Sequence, residues 1–308
     1  MESKSKINIA ILCSICKFAT YPLYKLLSNS LFNPVVIAIH TKQLPRRDKK
    51  LSLIDINYAD LLRLIDKDRV RIINEKKQLY QIEQELAASK PDIGVLLCFP
   101  YRVKKNIISI PNKGFINLHP SLLPANRGPD PIFWTLYYGD RETGVTVHKV
   151  TEELDEGPII LQQKVNIPVG TSYLELEDVC ARIGADLLEA AIANIDTLIP
   201  MEQNEELATY NPFPKSENLV VSPDWTAERA FRFLRGIEGV WLPSISGVFG
   251  SIPVLKALEY TQEPMGEEIR SEDSTVLVRF RDGAVRIIPA NQYLANTNIT
   301  SQNVPSAK

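Results

Sequence analysis

Asn117 and His119 stand two residues apart in Phe115-Ile116-Asn117-Leu118-His119-Pro120, a strand-like run, so both side chains leave one face of the strand at its end. An amide that donates hydrogen bonds and an imidazole that exchanges a proton near neutral pH can together hold an oxygen that turns negative. Attack on a carbonyl carbon creates such an oxygen, and each donor aimed at it is worth about 3 to 4 kcal/mol of barrier in known enzymes. Asp155 follows His119 by 36 residues, in the turn-like Leu154-Asp155-Glu156-Gly157-Pro158. A chain that folds back brings this carboxylate beside the pair, where it keeps the imidazole protonated or collects the proton of the attacking group, an effect of about 10²- to 10⁴-fold. No serine or cysteine lies within reach by sequence as a nucleophile, which favours direct transfer of an acyl-type group to an external nucleophile. The same residue types also have structural readings: Asn117 fixing a turn, His119 ending a strand before Pro120, and Asp155 making an Asx turn. His40 and His148 read as strand residues with structural roles.

The elements that must position these groups form an alternating pattern. Residues 7–12 are an apolar run, helical spacing follows around Tyr24, Leu26, Leu27 and Leu31, and residues 35–40 are a second apolar run. Strand, helix, strand implies a parallel sheet with a right-handed crossover. The first turn, Cys-Ser-Ile-Cys-Lys-Phe at 13–18, has no glycine, so the dinucleotide fingerprint is missing and a nicotinamide cofactor is not expected. A third strand at 70–73, a helix at 80–88 and a buried fourth strand at 92–98 follow. The exit of that strand, Phe99-Pro100-Tyr101, falls beside the end of the Asn117/His119 strand, and ligands sit at the carboxyl ends of parallel strands, so it is a candidate pocket wall.

Residues 172–198 carry a long helical pattern that ends before Pro200. The polar, proline-containing stretch 201–217 reads as a linker. Beyond it come a helix at 227–234 and β-like pieces at 246–249, 254–260, 275–280 and 284–288, the last two joined by a hairpin-type turn at Arg281-Asp282-Gly283. The expected organisation is a catalytic domain at 1–200, a linker at 201–217 and a small β-rich, barrel-like domain at 218–308, with a polar tail after Leu294.

The 308-residue length suits one large and one smaller domain. Lys and Arg number 35 against 37 Asp and Glu, so no global field draws in nucleic acid or an anionic membrane. The run Lys42 to Lys50, with five basic residues and one acid, is a local exception: a loop that can touch phosphate or simply be solvated. No apolar run reaches the roughly 18 residues of a membrane span, and the first residues lack the apolar length and cleavage site of a secretory signal, so the expected location is the cytoplasm. Cys13, Cys16, Cys98 and Cys180 are too scattered for a disulfide framework and have apolar neighbours. Cys13-x-x-Cys16 has no second such pair to complete a zinc site, and no metal is expected.

The residues around the candidate site also resemble a known family. Asn117-Leu118-His119-Pro120-Ser121-Leu122-Leu123-Pro124, then Arg127-Gly128, Gly139-Asp140, Thr143-Gly144-Val145-Thr146 and Leu154-Asp155-Glu156-Gly157-Pro158, are similar in order and spacing to the formyltransferase domain that uses 10-formyltetrahydrofolate. The likeness covers roughly residues 5–200. The region opened by Asp224-Trp225 is similar, less distinctively, to the OB-like C-terminal domain of methionyl-tRNA formyltransferases. The fold implied is α/β, a Rossmann-like mostly parallel sheet with a smaller β-rich, OB-like C-terminal domain. The resemblance implies that Asn117, His119 and Asp155 are the catalytic triad, the first two at the oxyanion and Asp155 tuning the histidine. It also implies that the folate, a formyl-donor cosubstrate, lies against Tyr101, Arg102 and Val103, the loop Ser121, Leu122, Leu123 and Pro124, and the turn Thr151, Glu152, Glu153, Leu154 and Asp155, in agreement with the pocket wall that begins at Phe99. An acceptor amine then attacks the formyl carbon and tetrahydrofolate leaves.

The acceptor expected is a small-molecule or carrier-bound primary amine, such as a nucleotide-linked amino sugar. The first turn departs from the Gly-Thr-Pro turn of the tRNA branch, and residues 203–308 hold ten Lys and Arg against thirteen Asp and Glu, whereas a tRNA-holding domain needs a positive face. The two-domain length and the basic loop favour the alternative, methionyl-tRNA formyltransferase. A non-catalytic folate- or nucleotide-binding regulatory protein is the alternative of another class, and hydrolytic deformylation is chemically open to the same triad.

Overall fold

The computed structural model describes residues 5–41 and 63–290. The chain forms two compact units, the first Met1–Ile132, Glu142–Asn166 and Leu174–Pro212, the second Phe133–Arg141, Ile167–Tyr173 and Phe213–Lys308.

The first unit is built on a seven-stranded sheet. Strands β1 (Ile7–Ser14), β2 (Phe32–His40), β3 (Val70–Ile73), β4 (Ile93–Leu97), β5 (Phe115–His119), β6 (Glu142–Lys149) and β7 (Ile159–Asn166) take the order β3-β2-β1-β4-β5-β6-β7. The first five are parallel, while β6 runs antiparallel to β5 and β7 antiparallel to β6. The apolar runs behave as central strands should: Ile9, Leu12, Ile37, Val95 and Leu97 are almost fully buried. Order reverses between β1 and β4, so the crevice at the carboxyl ends of these strands is the place for a ligand.

Helices α1 (Lys17–Ser28) and α2 (Leu79–Ser89) are the crossovers. Helix α1 begins earlier than the leucine spacing indicates and has ended before Leu31, which leads directly into β2. Helix α2 stops at Lys90, which takes a left-handed conformation (φ 47°) ahead of Pro91. The long helix α3 (Tyr173–Ala193) backs the site strands, with Gly184 lying against Leu118 and Val145. Leu118 is thus spent on packing, and its neighbours Asn117 and His119 are turned to the opposite face by the period of two.

The β-rich part expected near the C-terminus is a six-stranded sheet in the second unit. Its strands are β8 (Val220–Val221), β9 (Ser244–Gly247), β10 (Gly250–Thr261), β11 (Ile269–Glu272), β12 (Thr275–Phe280) and β13 (Gly283–Pro289), ordered β11-β12-β13-β10-β9-β8. Helix α4 (Ala227–Gly236) is capped by Thr226, whose Oγ1 accepts from the Arg229 amide at 3.2 Å. Phe133, Tyr137, Trp225, Phe233 and Trp241 make an aromatic cluster in this unit. Residues 201–212, read from sequence as linker, cluster with the first unit: Met201 exchanges backbone hydrogen bonds with Ile159, and Asn211 pairs with Arg127. The basic run Lys42 to Lys50 and the polar tail lie outside the described residues. No helix among the described residues is long and apolar enough to cross a membrane.

Candidate functional site

The antiparallel register of β5 and β6 creates the site. It sets His148 directly across from Asn117 and Thr146 across from His119, so these four side chains share one face. The turn after β6 then folds Asp155 back onto that face. Asp155 has φ 58°, a left-handed conformation uncommon outside glycine, and such backbone is retained where its surroundings hold it. Gly157 permits the turn, because a Cβ there would sit 1.8 Å from the Lys149 carbonyl oxygen.

His119, His148 and Asp155 are 5, 2 and 7 % exposed. Asn117 Nδ2 donates to Asp155 Oδ1 at 3.4 Å and lies 3.1 Å from His148 Nε2. Asp155 Oδ2 accepts from the Gly128 amide at 2.9 Å and stands 3.7 Å from His119 Nδ1, while Oδ1 is 3.6 Å from His148 Nε2. His119 Nε2 is 2.9 Å from the Asn126 carbonyl oxygen. A carbonyl only accepts, so Nε2 carries hydrogen and Nδ1 is the basic nitrogen of the neutral ring, facing the carboxylate.

Burial works to raise the Asp155 carboxyl, but the neighbouring His119 imidazole and the Gly128 amide outweigh it and hold the group well below the usual carboxylate range. Asp155 is therefore ionised. Burial lowers His119 below its ordinary value, outweighing the attraction of Asp155 and the bond to Asn126. A neutral imidazole beside a buried carboxylate is a proton acceptor whose protonated form has a counter-ion waiting.

The Asp155 turn is braced from behind. Gln203 Nε2 donates to the carbonyl oxygens of Asp155 (2.7 Å) and Gly157 (2.8 Å), and Gln203 Oε1 accepts from Arg127 Nε and Nη2. Arg127, 4 % exposed, also forks onto both carboxylate oxygens of Glu205. Neither Gln203 nor Glu205 stands out in the sequence. The missed member of the site itself is His148. Its signal was the alternation Thr146, His148 opposite Val145, Val147, which becomes informative once β6 is paired with β5.

Of the wall residues Tyr101, Arg102 and Val103 and the turn residues Thr151, Glu152, Glu153 and Leu154, the structure joins Arg102 to Glu153 by an ion pair at 3.0 Å. Phe99 and Tyr101 are partly buried, edge to face at 5.7 Å, and pack on the core that includes Val103. Leu154 is exposed. The loop Ser121, Leu122, Leu123 and Pro124 is tied to β6 and β7. Ser121 is fully buried and its hydroxyl donates to Ala125 O; Leu123 O accepts from Gln162, and Leu122 packs over Gly144. Ser121 and Leu123 therefore shape this loop, while Leu122 and Pro124 are its partly exposed members.

Burial pushes the Cys13 thiol up to about 12, with Cys16 adding to the shift, and none of the four cysteines forms a disulfide. Among the described residues no group of three or more His, Cys, Asp or Glu is arranged to hold a metal ion.

A mostly parallel α/β sheet that carries this amide with a buried imidazole and carboxylate defines the class: an α/β protein of formyltransferase fold. The chain belongs to the formyl transferase family, whose model matches residues 24–192. It is 37 % identical over 163 residues to a methionyl-tRNA formyltransferase of Ehrlichia ruminantium, covering 52 % of this chain and 53 % of that protein, so the match spans about half the relative's length. With the methionyl-tRNA formyltransferase of Carboxydothermus hydrogenoformans it shares 31 % identity over 226 residues, 73 % of this chain and 71 % of the relative. Among solved structures it is similar to WlaRD, a sugar 3N-formyl transferase crystallised with dTDP and 5-N-formyl-THF, at a TM-score of 0.66 and 19 % identity over 92 % of this chain and 98 % of that one. At that identity the likeness shows the fold.

Proposed function

We propose that this chain transfers a formyl group from 10-formyltetrahydrofolate to a primary amine, with Asn117, His119 and Asp155 as its catalytic residues. The observation that carries the reading is the pairing of ionised Asp155 with the basic Nδ1 of a buried, neutral His119. Asn117 donates to the formyl oxygen as it turns negative under attack, and His119 adds its positive charge once it has taken the proton of the amine. The bond from the acceptor nitrogen to the formyl carbon forms and the bond from that carbon to the folate N10 breaks. The His119/Asp155 pair takes the proton shed by the amine and returns it to N10, so charge balances over the cycle. Phe99, Tyr101, Arg102 and Val103, the loop Ser121 to Pro124 and the turn Thr151 to Leu154 are the proposed folate contacts.

The acceptor we favour is a small-molecule or carrier-bound amine such as a nucleotide-linked amino sugar. The excess of acid over base in residues 203–308 supports it, since phosphate-backbone binding needs neutralising cations. Met-tRNA is the second reading, favoured by the names of the sequence relatives. The test is formyl transfer from 10-formyltetrahydrofolate to Met-tRNA and to a panel of amino-sugar nucleotides. Turnover of the sugars supports the first reading, and robust turnover of Met-tRNA alone overturns it.

A further inference from the structure

The amide of Asn117 cannot be oriented by its own strand, because a terminal amide rotates freely and presents oxygen or nitrogen with nearly equal shape. Something must choose. His148 Nδ1 lies 2.9 Å from the Lys149 carbonyl oxygen, so Nδ1 carries hydrogen, and in the neutral ring Nε2 is left as an acceptor. Asn117 Nδ2 is the group at 3.1 Å from that acceptor, and its second hydrogen goes to Asp155 Oδ1 at the longer 3.4 Å. Both amide hydrogens are thus engaged within the protein, one firmly and one at the limit of a hydrogen bond.

We propose that His148 is a positioning residue, acting through Asn117: it anchors one amide hydrogen so that the other, loosely shared with Asp155, is the one redirected onto the oxygen of the group being transferred. The backbone supplies the rigidity. Register places His148 opposite Asn117, His148 is 2 % exposed, and its ring stands edge-on to His119 with centroids 6.3 Å apart. A histidine that merely filled this space would not need its acceptor nitrogen aimed at the side-chain amide of Asn117.

The kinetic part of this inference rests on the formyl-transfer reading; the tautomer does not. The chain has three histidines, His40, His119 and His148, so ring nitrogen signals of the full-length protein are assignable by single substitutions. Nitrogen NMR is expected to find His148 protonated at Nδ1 with Nε2 bare. An Nε2-protonated ring overturns the proposal, and this readout decides even if no acceptor is turned over, an outcome that would instead sink the formyl-transfer reading. In transfer assays His148→Leu is expected to lower kcat by about 10- to 100-fold, the scale of a misplaced catalytic group, with KM for the folate donor unchanged. His148→Gln, whose amide oxygen can accept from Asn117, recovers part of the loss. In an Asn117→Ala background His148→Leu adds little. Equal losses for Leu and Gln, or a full further loss without Asn117, contradict the proposal. Should His148→Leu fail to fold, the tautomer and His148→Gln still test it.

Discussion

Replacing Gly128 by alanine would set a Cβ 2.3 Å from the backbone carbonyl oxygen of Asn211 and 3.3 Å from the Tyr210 ring, at a residue with φ 96°. Two costs add. The left-handed conformation costs a side chain about 1 to 2 kcal/mol, and forcing atoms into occupied space costs about 1 to 3 kcal/mol. The carbonyl is backbone and cannot rotate aside, so the sum falls at roughly 2 to 5 kcal/mol, or a melting temperature lower by about 5 to 20 °C for a unit of this size. The same substitution at Gly170 (φ 85°) meets nothing within 4 Å and carries only the conformational part. Thermal melts of the two variants separate the terms. Because the Gly128 amide is a donor to Asp155, Gly128→Ala also lowers formyl transfer, whereas Gly170→Ala leaves it unchanged. Equal melting temperatures for the two variants would refute the reasoning, since it requires the Asn211 contact to dominate.

Further outcomes follow from the same geometry. Burial lowers His119 below 6.5, so between pH 6.5 and its folded value the unfolded chain binds the extra proton; stability falls as pH drops through this window, and the depressed Asp155 adds its own loss at lower pH. Denaturant melts should show stability declining from about pH 6.5 downward, and His119→Gln should flatten the first part of the decline. Gln203→Leu leaves two buried carbonyls without a donor, at about 1 to 3 kcal/mol each, and loosens Asp155; kcat is expected to fall together with the melting temperature. The Arg102–Glu153 pair is 57 and 66 % exposed, and such pairs contribute under about 1 kcal/mol; Arg102→Ala should leave the melting temperature unchanged while raising KM for the folate donor.

What the sequence disclosed and what it withheld have physical reasons. Asn117 and His119 were legible because a period of two puts them on one face whatever the strand pairs with. The parallel core was legible in uninterrupted apolar runs such as residues 93–97. His148 was not, because its place in the site depends on β6 turning antiparallel to β5, a pairing between strands 31 residues apart in the Asn117–His148 couple. Gln203 and Glu205 were hidden more deeply: polar residues in a proline-flanked stretch look like solvent-exposed linker until a buried guanidinium, Arg127, needs partners. The left-handed turn at Asp155 was only half visible, in the Gly-Pro that follows it.

The most direct measurement is a single-turnover assay with 10-formyltetrahydrofolate and an acceptor amine, comparing the native chain with His119→Ala and Asp155→Asn while donor binding is monitored separately. The account predicts formyl transfer by the native chain and rates lower by about 10²- to 10⁴-fold in both variants, with donor binding retained. Transfer at the native rate by either variant would contradict the assignment of this buried pair as the centre of the chemistry.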